Sequence, residues 1–272
     1  MKTSKKFVQL LKKIFPHRSK IAKLSKNPMI KWLYNKMIFE KNNLTVLPKN
    51  KVVEIEINKK IKPAESIVLP SQIVEYFIDK ANYHFIMDFC ICRESMNCQN
   101  HPKELGCLFI GDATKDITPD FGHAATKEEA KKHVEKCREE GLIHTIGRDK
   151  IDEMWLGTKP EKDLMVVCNC CHCCCLWRML TDLDKELGLT VKKMPGVKVE
   201  ITDKCVGCRR CENICFVEAI NVKKGKAEIN DECRGCGRCV EICPHDAIKI
   251  SIEDNNFIEK TIERIKSSVD VT

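Results

Sequence analysis

The sequence lacks the features that would place it across a membrane or bind a nucleotide. Its apolar runs fall short of the roughly 18 to 20 residues that span a bilayer, and its start has no apolar segment with a small-residue cleavage site. No G-x-G-x-x-G follows a predicted strand, and there is no P-loop. We therefore expect a cytoplasmic chain without a transmembrane segment, at most peripheral to a membrane.

Acidic residues are missing from the first 39 positions, which hold ten Lys and one Arg, so Glu40 is the first acid. The net charge of +8 is therefore concentrated in this segment, and the rest of the chain is slightly acidic. Apolar residues recur there at helical spacing between lysines: Phe7, Val8, Leu11, Ile14 and Phe15. The pattern predicts a basic amphipathic helix, which is either a solvated face or a surface for an acidic partner or an anionic membrane.

Cysteine, in contrast, is abundant, with 19 in 272 residues. The chain is long enough for about two cores, so it does not need disulfides to fold. The cysteines fall in C-x-C, C-x-x-C and C-C spacings, which suit metal ligation better than extracellular disulfides. The composition therefore indicates metal sites in a reducing compartment.

Residues 205–220 recur at 233–248 with a constant offset of 28. The first copy reads CVGCRRCENICFVEAI and the second CRGCGRCVEICPHDAI. Each is a C-x2-C-x2-C-x3-C run, in which three thiolates from one loop bind one cubane and the fourth reaches the other. We predict one [4Fe–4S] cluster on Cys205, Cys208, Cys211 and Cys243. We predict a second on Cys233, Cys236, Cys239 and Cys215.

Residues 199–252 thus resemble the bacterial dicluster ferredoxins. The resemblance implies a pseudo-twofold pair of short helices with two small β-hairpins, and apolar walls around the clusters from Val217, Ala219, Ile220, Ala247 and Ile248. The first repeat departs from the family pattern at Phe216, where the second has Pro244. We expect this change to loosen the turn or alter access to the second cluster. Two zinc ions are the alternative for these cysteines, but zinc ribbons rarely have this spacing.

Upstream, the patterns predict a strand over 52–57, a helix over 70–80 capped by Ser71, and strands over 142–146 and 163–167. Thr126 and Glu129 form a predicted capping box for a helix that runs to Gly141. We expect an α+β protein. Its predicted parts are a basic helical arm (1–49), a cysteine-rich α/β domain (50–195), a dicluster ferredoxin domain (196–253) and a C-terminal tail or helix (254–272).

Ten more cysteines form two groups in the α/β segment. One is Cys90, Cys92, Cys98 and Cys107, and the other is Cys168, Cys170, Cys171, Cys173, Cys174 and Cys175 in CNCCHCCC. Thiols this dense are an oxidation hazard unless they bind a metal or exchange disulfides. Two arrangements stay open. Either each group binds its own cluster or ion, iron–sulfur or zinc, or a few cysteines from each converge on one site with spare thiols for substrate.

Several single residues have candidate roles. His144 and His172 are candidate ligands or proton carriers, against the alternative that hydrogen bonds merely satisfy them. Arg93, next to Cys92, either balances the charge of a cluster, binds an anion or is solvated. Cys137 is expected to be a surface or half-buried thiol, since charged residues surround it in the sequence.

The whole chain, with its CICRE segment, its CNCCHCCC loop and a terminal ferredoxin, resembles 4Fe–4S binding proteins of anaerobic bacteria and archaea. This resemblance implies iron–sulfur content. We expect an electron-transfer protein or oxidoreductase component that passes single electrons through the two clusters to a redox partner protein or to a further cysteine-ligated centre in the N-terminal half. The alternatives are a redox-sensing regulator and a metal-storage or delivery protein. Nucleic acid is an unfavourable partner, because the 127–140 helix is rich in glutamate.

Overall fold

The computed structural model describes residues 3–50, 53–55, 70–159, 163–254 and 256–271. Its helices are α1 (Lys5–Ile14), α2 (Arg18–Lys23), α3 (Pro28–Tyr34), α4 (Ser71–Lys80), α5 (Ile91–Ser95), α6 (Lys127–Glu139), α7 (Lys150–Leu156), α8 (Lys185–Gly188), α9 (Arg210–Ile214), α10 (Arg238–Ile242) and α11 (Phe257–Lys266). Its strands are β1 (Asn43–Val46), β2 (Val53–Ile55), β3 (His84–Met87), β4 (Leu108–Ile110), β5 (Gly122–Ala125), β6 (Ile143–Arg148), β7 (Met165–Cys170), β8 (Val191–Lys193), β9 (Val197–Ile201), β10 (Ile220–Lys223), β11 (Lys226–Ile229) and β12 (Ile248–Ile252). Helices and strands mix in one chain, and the α+β prediction is confirmed.

A seven-stranded sheet in the order β5-β3-β4-β7-β6-β1-β8 forms the centre. All its pairs are antiparallel except β1 with β8. The middle strand β7 is apolar and buried at Met165, Val166 and Val167, as a strand covered on both faces must be. The predicted strands at 142–146 and 163–167 are therefore confirmed, with the second continuing through Cys170.

The N-terminal helices α1 to α3 cover one face of this sheet. Val8 and Ala22 join the same core as Phe39 and strand residue Leu44. Ion pairs between Lys12 and Glu94 and between the Lys31 and Asp184 side chains attach the helices to the rest of the chain. The predicted helix over the first apolar stripe is confirmed, and Val8 and the partly buried Leu11 of that stripe pack on the core.

The opposite face is covered by α4, α6 and α11, which pack on a separate apolar core. Helix α4 lies within its predicted range, but the prediction of Ser71 as its cap is wrong. Pro70 precedes the first helical turn, and the Ser71 N–H donates to Asn50 Oδ1 at 3.2 Å. Of the strand predicted over 52–57, residues 53–55 are β2, and positions 52, 56 and 57 lie outside the described residues.

The C-terminal repeat has the same backbone course twice. Helices α9 and α10 are its two short helices, β10 and β11 form a hairpin, and β9 pairs with β12 antiparallel. Strand β2 joins the same small sheet, parallel to β12. Residues with a left-handed backbone conformation also recur with the offset of 28. Gly207 and Gly235, with φ of 68° and 63°, lie in the turns before α9 and α10. No described helix has the length and apolar character to cross a bilayer.

The capping box at the start of α6 is confirmed. Glu129 N–H donates to Thr126 Oγ1 at 3.2 Å, and Thr126 N–H donates back to Glu129 Oε2 at 2.8 Å. Thr126→Ala removes one acceptor and should cost about 1 kcal/mol, which lowers the melting temperature by about 2–4 °C. Thr126→Ser, which keeps the hydroxyl, should melt like the unmodified protein. Equal melting of the alanine and serine variants, by circular dichroism, would contradict this role.

Candidate metal centres

The eight cysteines of the repeat line two separate cavities, divided between the two repeats. The first cavity is lined by Cys205, Cys208, Cys211 and Cys243. The second is lined by Cys215, Cys233, Cys236 and Cys239. Each cavity thus takes three thiols from one repeat and the fourth from the other, which is the arrangement that the spacing predicts. The expected walls are present too, since Val217, Ala219, Ile220, Ala247 and Ile248 are buried and line these cavities.

Backbone N–H groups point at these sulfurs in equivalent pairs. Ala219 N–H lies 3.3 Å from Cys215 Sγ, and Ala247 N–H lies 3.4 Å from Cys243 Sγ. Further N–H groups face Cys205 and Cys233. Such bonds stabilise anionic sulfur and tune the potential of an iron–sulfur cluster. The thiol sets, the N–H groups and the apolar walls therefore fit two clusters of the ferredoxin kind.

Phe216 is the position at which the first repeat differs from the second, which has Pro244 there. Its ring is 3% exposed and belongs to the core shared with the central sheet, and the Arg238 guanidinium lies 6.0 Å from the ring centre. Of the two expected effects of losing proline, a looser turn stays a prediction. Phe216 lines the second cavity, where the other expected effect, altered access, would act.

The ten upstream cysteines gather into two groups that do not follow the sequence segments. Cys98 joins the later part of the CNCCHCCC loop, while the other three early cysteines join its ends. We call the first set the four-thiol group: Cys98, Cys171, Cys173 and Cys174. We call the second the six-thiol group: Cys90, Cys92, Cys107, Cys168, Cys175 and Cys170. Both segments thus converge, but on two places, which neither arrangement considered from the sequence describes.

Strand register assembles the six-thiol group. Cys168 and Cys170 are two residues apart on β7 and so face the same side of the sheet. Leu108 of β4 pairs with Val167, which puts Cys107 beside Cys168. Cys90 precedes α5, whose first turn holds Cys92, and Cys175 Sγ lies 3.2 Å from Cys170 Sγ.

The six thiols differ in acidity. Hydrogen bonds from Cys168 and Cys175 hold the pKa of Cys170 well below its ordinary value. A hydrogen bond from Cys92 and the charge of Arg93 lower the pKa of Cys90 to about 7. The donors themselves have raised pKa values, because their protons stabilise neighbouring thiolates and burial adds to the effect. Cys170 and Cys90 are therefore the thiols of this group that ionise most readily, and the thiolate is the form that binds a metal.

An apolar cavity of about 390 Å³ lies over the six-thiol group. Its other walls come largely from the N-terminal helices, including Phe7, Leu11 and Ile14, and from Trp155 of α7. Two carboxyls line it, those of Asp149 and Asp152, and Asp152 Oδ1 accepts a hydrogen bond from Trp155 Nε1 at 2.8 Å. Burial raises the pKa of Asp152 to about 7. The cavity therefore places thiols, apolar walls and a proton-exchanging group together.

Arg93 lies between the two thiol groups. It is fully buried, and its guanidinium donates to the carbonyl oxygens of Pro102 and Asn169, each at 2.7 Å, and to that of Leu105. The possibility of a solvated Arg93 is therefore wrong. Burial alone would lower its pKa, but the thiolates around it, Cys90 first, raise that pKa. Its charge thus balances sulfur anions, since no carboxylate of the described residues pairs with it.

The other three single residues differ in their burial and their contacts. His144 is buried, its Nδ1 lies 2.8 Å from Asn169 Oδ1, and burial lowers its pKa to about 4. His172 is part-buried and stacks edge-on against His101. Cys137 is fully buried, so its prediction as a surface or half-buried thiol is wrong; its helix turns that side toward the core.

Sequence reasoning missed three residues. Asn169, between two cysteines of the loop, bridges His144 and the Gly106 carbonyl, and its place inside CNCC was the available signal. Arg238 is buried and reaches the Cys170 carbonyl oxygen, although it reads as an ordinary charged residue beside Cys239. No sequence pattern indicated Asp152, because only the packing of α7 brings it to the cavity.

Arg93→Met should destabilise the protein strongly. Three buried carbonyl groups would lose their donor, at about 1–3 kcal/mol each, so the melting temperature should fall by at least about 6 °C. Arg178→Met is the matched control, because Arg178 donates a single bond to the His172 carbonyl at 2.9 Å. A fall no larger for Arg93→Met than for the control, in a thermal melt under anaerobic conditions, would contradict this assignment.

Part of the C-terminal repeat is similar to a known protein family. Residues 209–253 match the family model of the LdpA Fe-S cluster-binding domain. This segment is about a sixth of the chain and includes the repeat cysteines from Cys211 to Cys243, but not Cys205 or Cys208. No curated protein matched the chain. The match and the cysteine groups support an iron–sulfur, metal-binding protein.

Proposed function

We propose that this chain is an electron-transfer component with two [4Fe–4S] clusters in residues 205–243. Electrons pass from them to a third iron–sulfur centre on the six-thiol group. Iron–sulfur clusters, when bound, take up and release single electrons at potentials that hydrogen bonds and burial set. The observation that carries the proposal is the buried connection between the second ferredoxin cavity and the six-thiol group.

That connection is made by Arg238. It is 4% exposed, it precedes Cys239 of the second cavity, and its guanidinium donates to the carbonyl oxygen of Cys170. The same guanidinium lies beside the Phe216 ring, next to Cys215. One side chain therefore touches both ends of the route, and its charge is among the causes that lower the pKa of Cys170.

The core around this connection excludes water. Phe216, Val217 and Ala219 of the repeat belong to one apolar core with Cys170, Cys175 and Trp177 of the upstream segment. Partly buried Cys233 and Cys236 pack against that cluster. A dry, fixed path of this kind favours electron transfer between sites and protects reduced centres from side reactions.

The six-thiol group is the end of the route that meets a reactant. It lies against the apolar cavity, whereas the ferredoxin cavities face the repeat itself. A neutral, largely apolar molecule fits the cavity walls best. Electrons reach the chain from a redox partner protein, and the mouth of the first ferredoxin cavity is the expected contact, since Cys208 is exposed and Val206 is 62% exposed.

The direct test is iron and acid-labile sulfide per chain in anaerobically purified protein, with electron paramagnetic resonance after reduction. We expect about twelve iron atoms per chain in the unmodified protein and about eight in the double variant Cys168→Ser/Cys170→Ser, because four iron atoms make one cubane. The variant should keep the signals of two interacting clusters.

Cys137→Ser is the control, because Cys137 is buried near the thiol groups but belongs to neither. It should keep about twelve iron atoms. About eight iron atoms in the unmodified protein would refute the third centre. Loss of the two-cluster signals in the double variant alone would refute the separation of the sites.

We further propose that the N-terminal helices dock on an anionic membrane surface. Large apolar side chains are exposed there among lysines, including Met29 at 78%, Trp32 at 63% and Leu24 at 52%. Lys36 lies over the Trp32 ring, with its ammonium 5.3 Å from the ring centre. Apolar insertion together with basic residues is the pattern of peripheral membrane binding.

Co-sedimentation with vesicles tests this docking. The protein should bind vesicles that contain phosphatidylserine at least about tenfold better than phosphatidylcholine vesicles, and 0.5 M salt should weaken the binding, because charge contributes. Met29→Ser/Trp32→Ser should lose binding. Leu189→Ser, at another exposed apolar side chain (63%), should keep it. Equal binding to both vesicles, or equal loss in both variants, would contradict the proposal.

A further inference from the structure

The geometry points to a single zinc ion, separate from the iron–sulfur centres, bound by Cys98, Cys171, Cys173 and Cys174. Among the described residues, this is the one group of three or more Cys, His, Asp or Glu whose ligand atoms all lie within 4.8 Å of one another. The inference concerns a different set of thiols from the electron route.

The spacing of the sulfurs fits one ion. A tetrahedral site with Zn–S bonds of about 2.3 Å has sulfur–sulfur edges of about 3.8 Å. Cys98 Sγ lies 3.7 Å from Cys173 Sγ, and Cys173 Sγ lies 3.5 Å from Cys174 Sγ. A cubane holds its four thiolates farther apart, because four irons and four sulfides lie between them. All four sulfurs of the four-thiol group lie within 4.8 Å of one another, which is too compact for a cluster, whereas the six-thiol group has close pairs such as Cys170 and Cys175 but no such set of three.

The backbone around the group also suits a thiolate site. Cys174 N–H donates to Cys171 Sγ at 3.2 Å, and the N–H groups of Asn100 and His101 face Cys98 Sγ. Three of the four thiols are less than 7% exposed. Four thiolates on a divalent ion leave two negative charges, and the nearby guanidinium of Arg93 offsets part of them. Tetrahedral sites with four thiolates and no open position are typical of structural zinc.

The ion would join two distant parts of the chain. Cys98 follows α5, whereas the other three thiols follow β7, so the ion ties the turn after α5 to the loop that leads from Cys170 to Cys175. Cys171 also lines the apolar cavity, so the zinc site forms part of the wall of the cavity that lies over the six-thiol group. A redox-inert ion here would fix the geometry of the redox centre without taking part in electron transfer.

Metal analysis of the full chain, purified without oxygen or chelators, tests the site. We expect about one zinc per chain in the unmodified protein. In Cys98→Ser and Cys173→Ser zinc should fall at least about tenfold, because a lost thiolate opens the closed coordination, while iron stays unchanged. Cys137→Ser, whose thiol lies 3.7 Å from His133 Nε2, should keep both metals. Loss of iron with zinc retained in these variants would overturn the inference, as would an unmodified protein without zinc.

A second measurement does not depend on how the variants fold. X-ray absorption at the zinc edge of the unmodified protein should show four sulfur neighbours at about 2.3 Å. Zinc with nitrogen or oxygen neighbours would contradict the assignment of the four cysteines. A shell of iron neighbours near the zinc would contradict the separation from the clusters.

Discussion

The arrangement of the upstream thiols depends on a buried guanidinium. Arg93 donates to carbonyl groups on both sides of it, those of Pro102 and Leu105 in the loop before β4 and that of Asn169 in β7. These bonds hold together the segments that supply the early and late cysteines. A buried cation without a carboxylate is costly, so its stability requires anions nearby, and the thiolates are those anions. The same side chain therefore holds the cysteine-bearing segments in place and balances the charge of their thiolates.

A second buried arginine lies between the C-terminal repeat and the upstream thiols. Arg238 is buried, donates to the Cys170 carbonyl and stands beside Phe216. The pair of arginines gives each thiol group a nearby positive charge without blocking a ligand position. The phenylalanine that stands where the second repeat has Pro244 belongs to the same interface, because its ring lies in the core that the repeat shares with the central sheet. The repeat is thus joined to the rest of the chain by packing as well as by sequence.

The repeat cysteines and the helix cap could be predicted from the sequence, because each depends on residues that are close together in the chain. The division of Cys205 to Cys243 between two cavities follows from loop length alone, and the capping box at Thr126 follows from local hydrogen bonding. The partition of the upstream cysteines was not accessible. It depends on the register of β4 against β7, which puts Cys107 beside Cys168, and on the turn after α5, which carries Cys98 away from Cys90. The burial of Cys137 was missed because charges on the outer face of α6 hid its apolar side.

The proposed iron–sulfur centre on the six-thiol group, reached through the second ferredoxin cavity, can be located in crystals grown without oxygen and measured at the iron and zinc absorption edges. We expect anomalous iron density at three places: the two ferredoxin cavities and the six-thiol group beneath the apolar cavity. Iron density confined to the two ferredoxin cavities, with none among Cys90, Cys107 and Cys170, would contradict it.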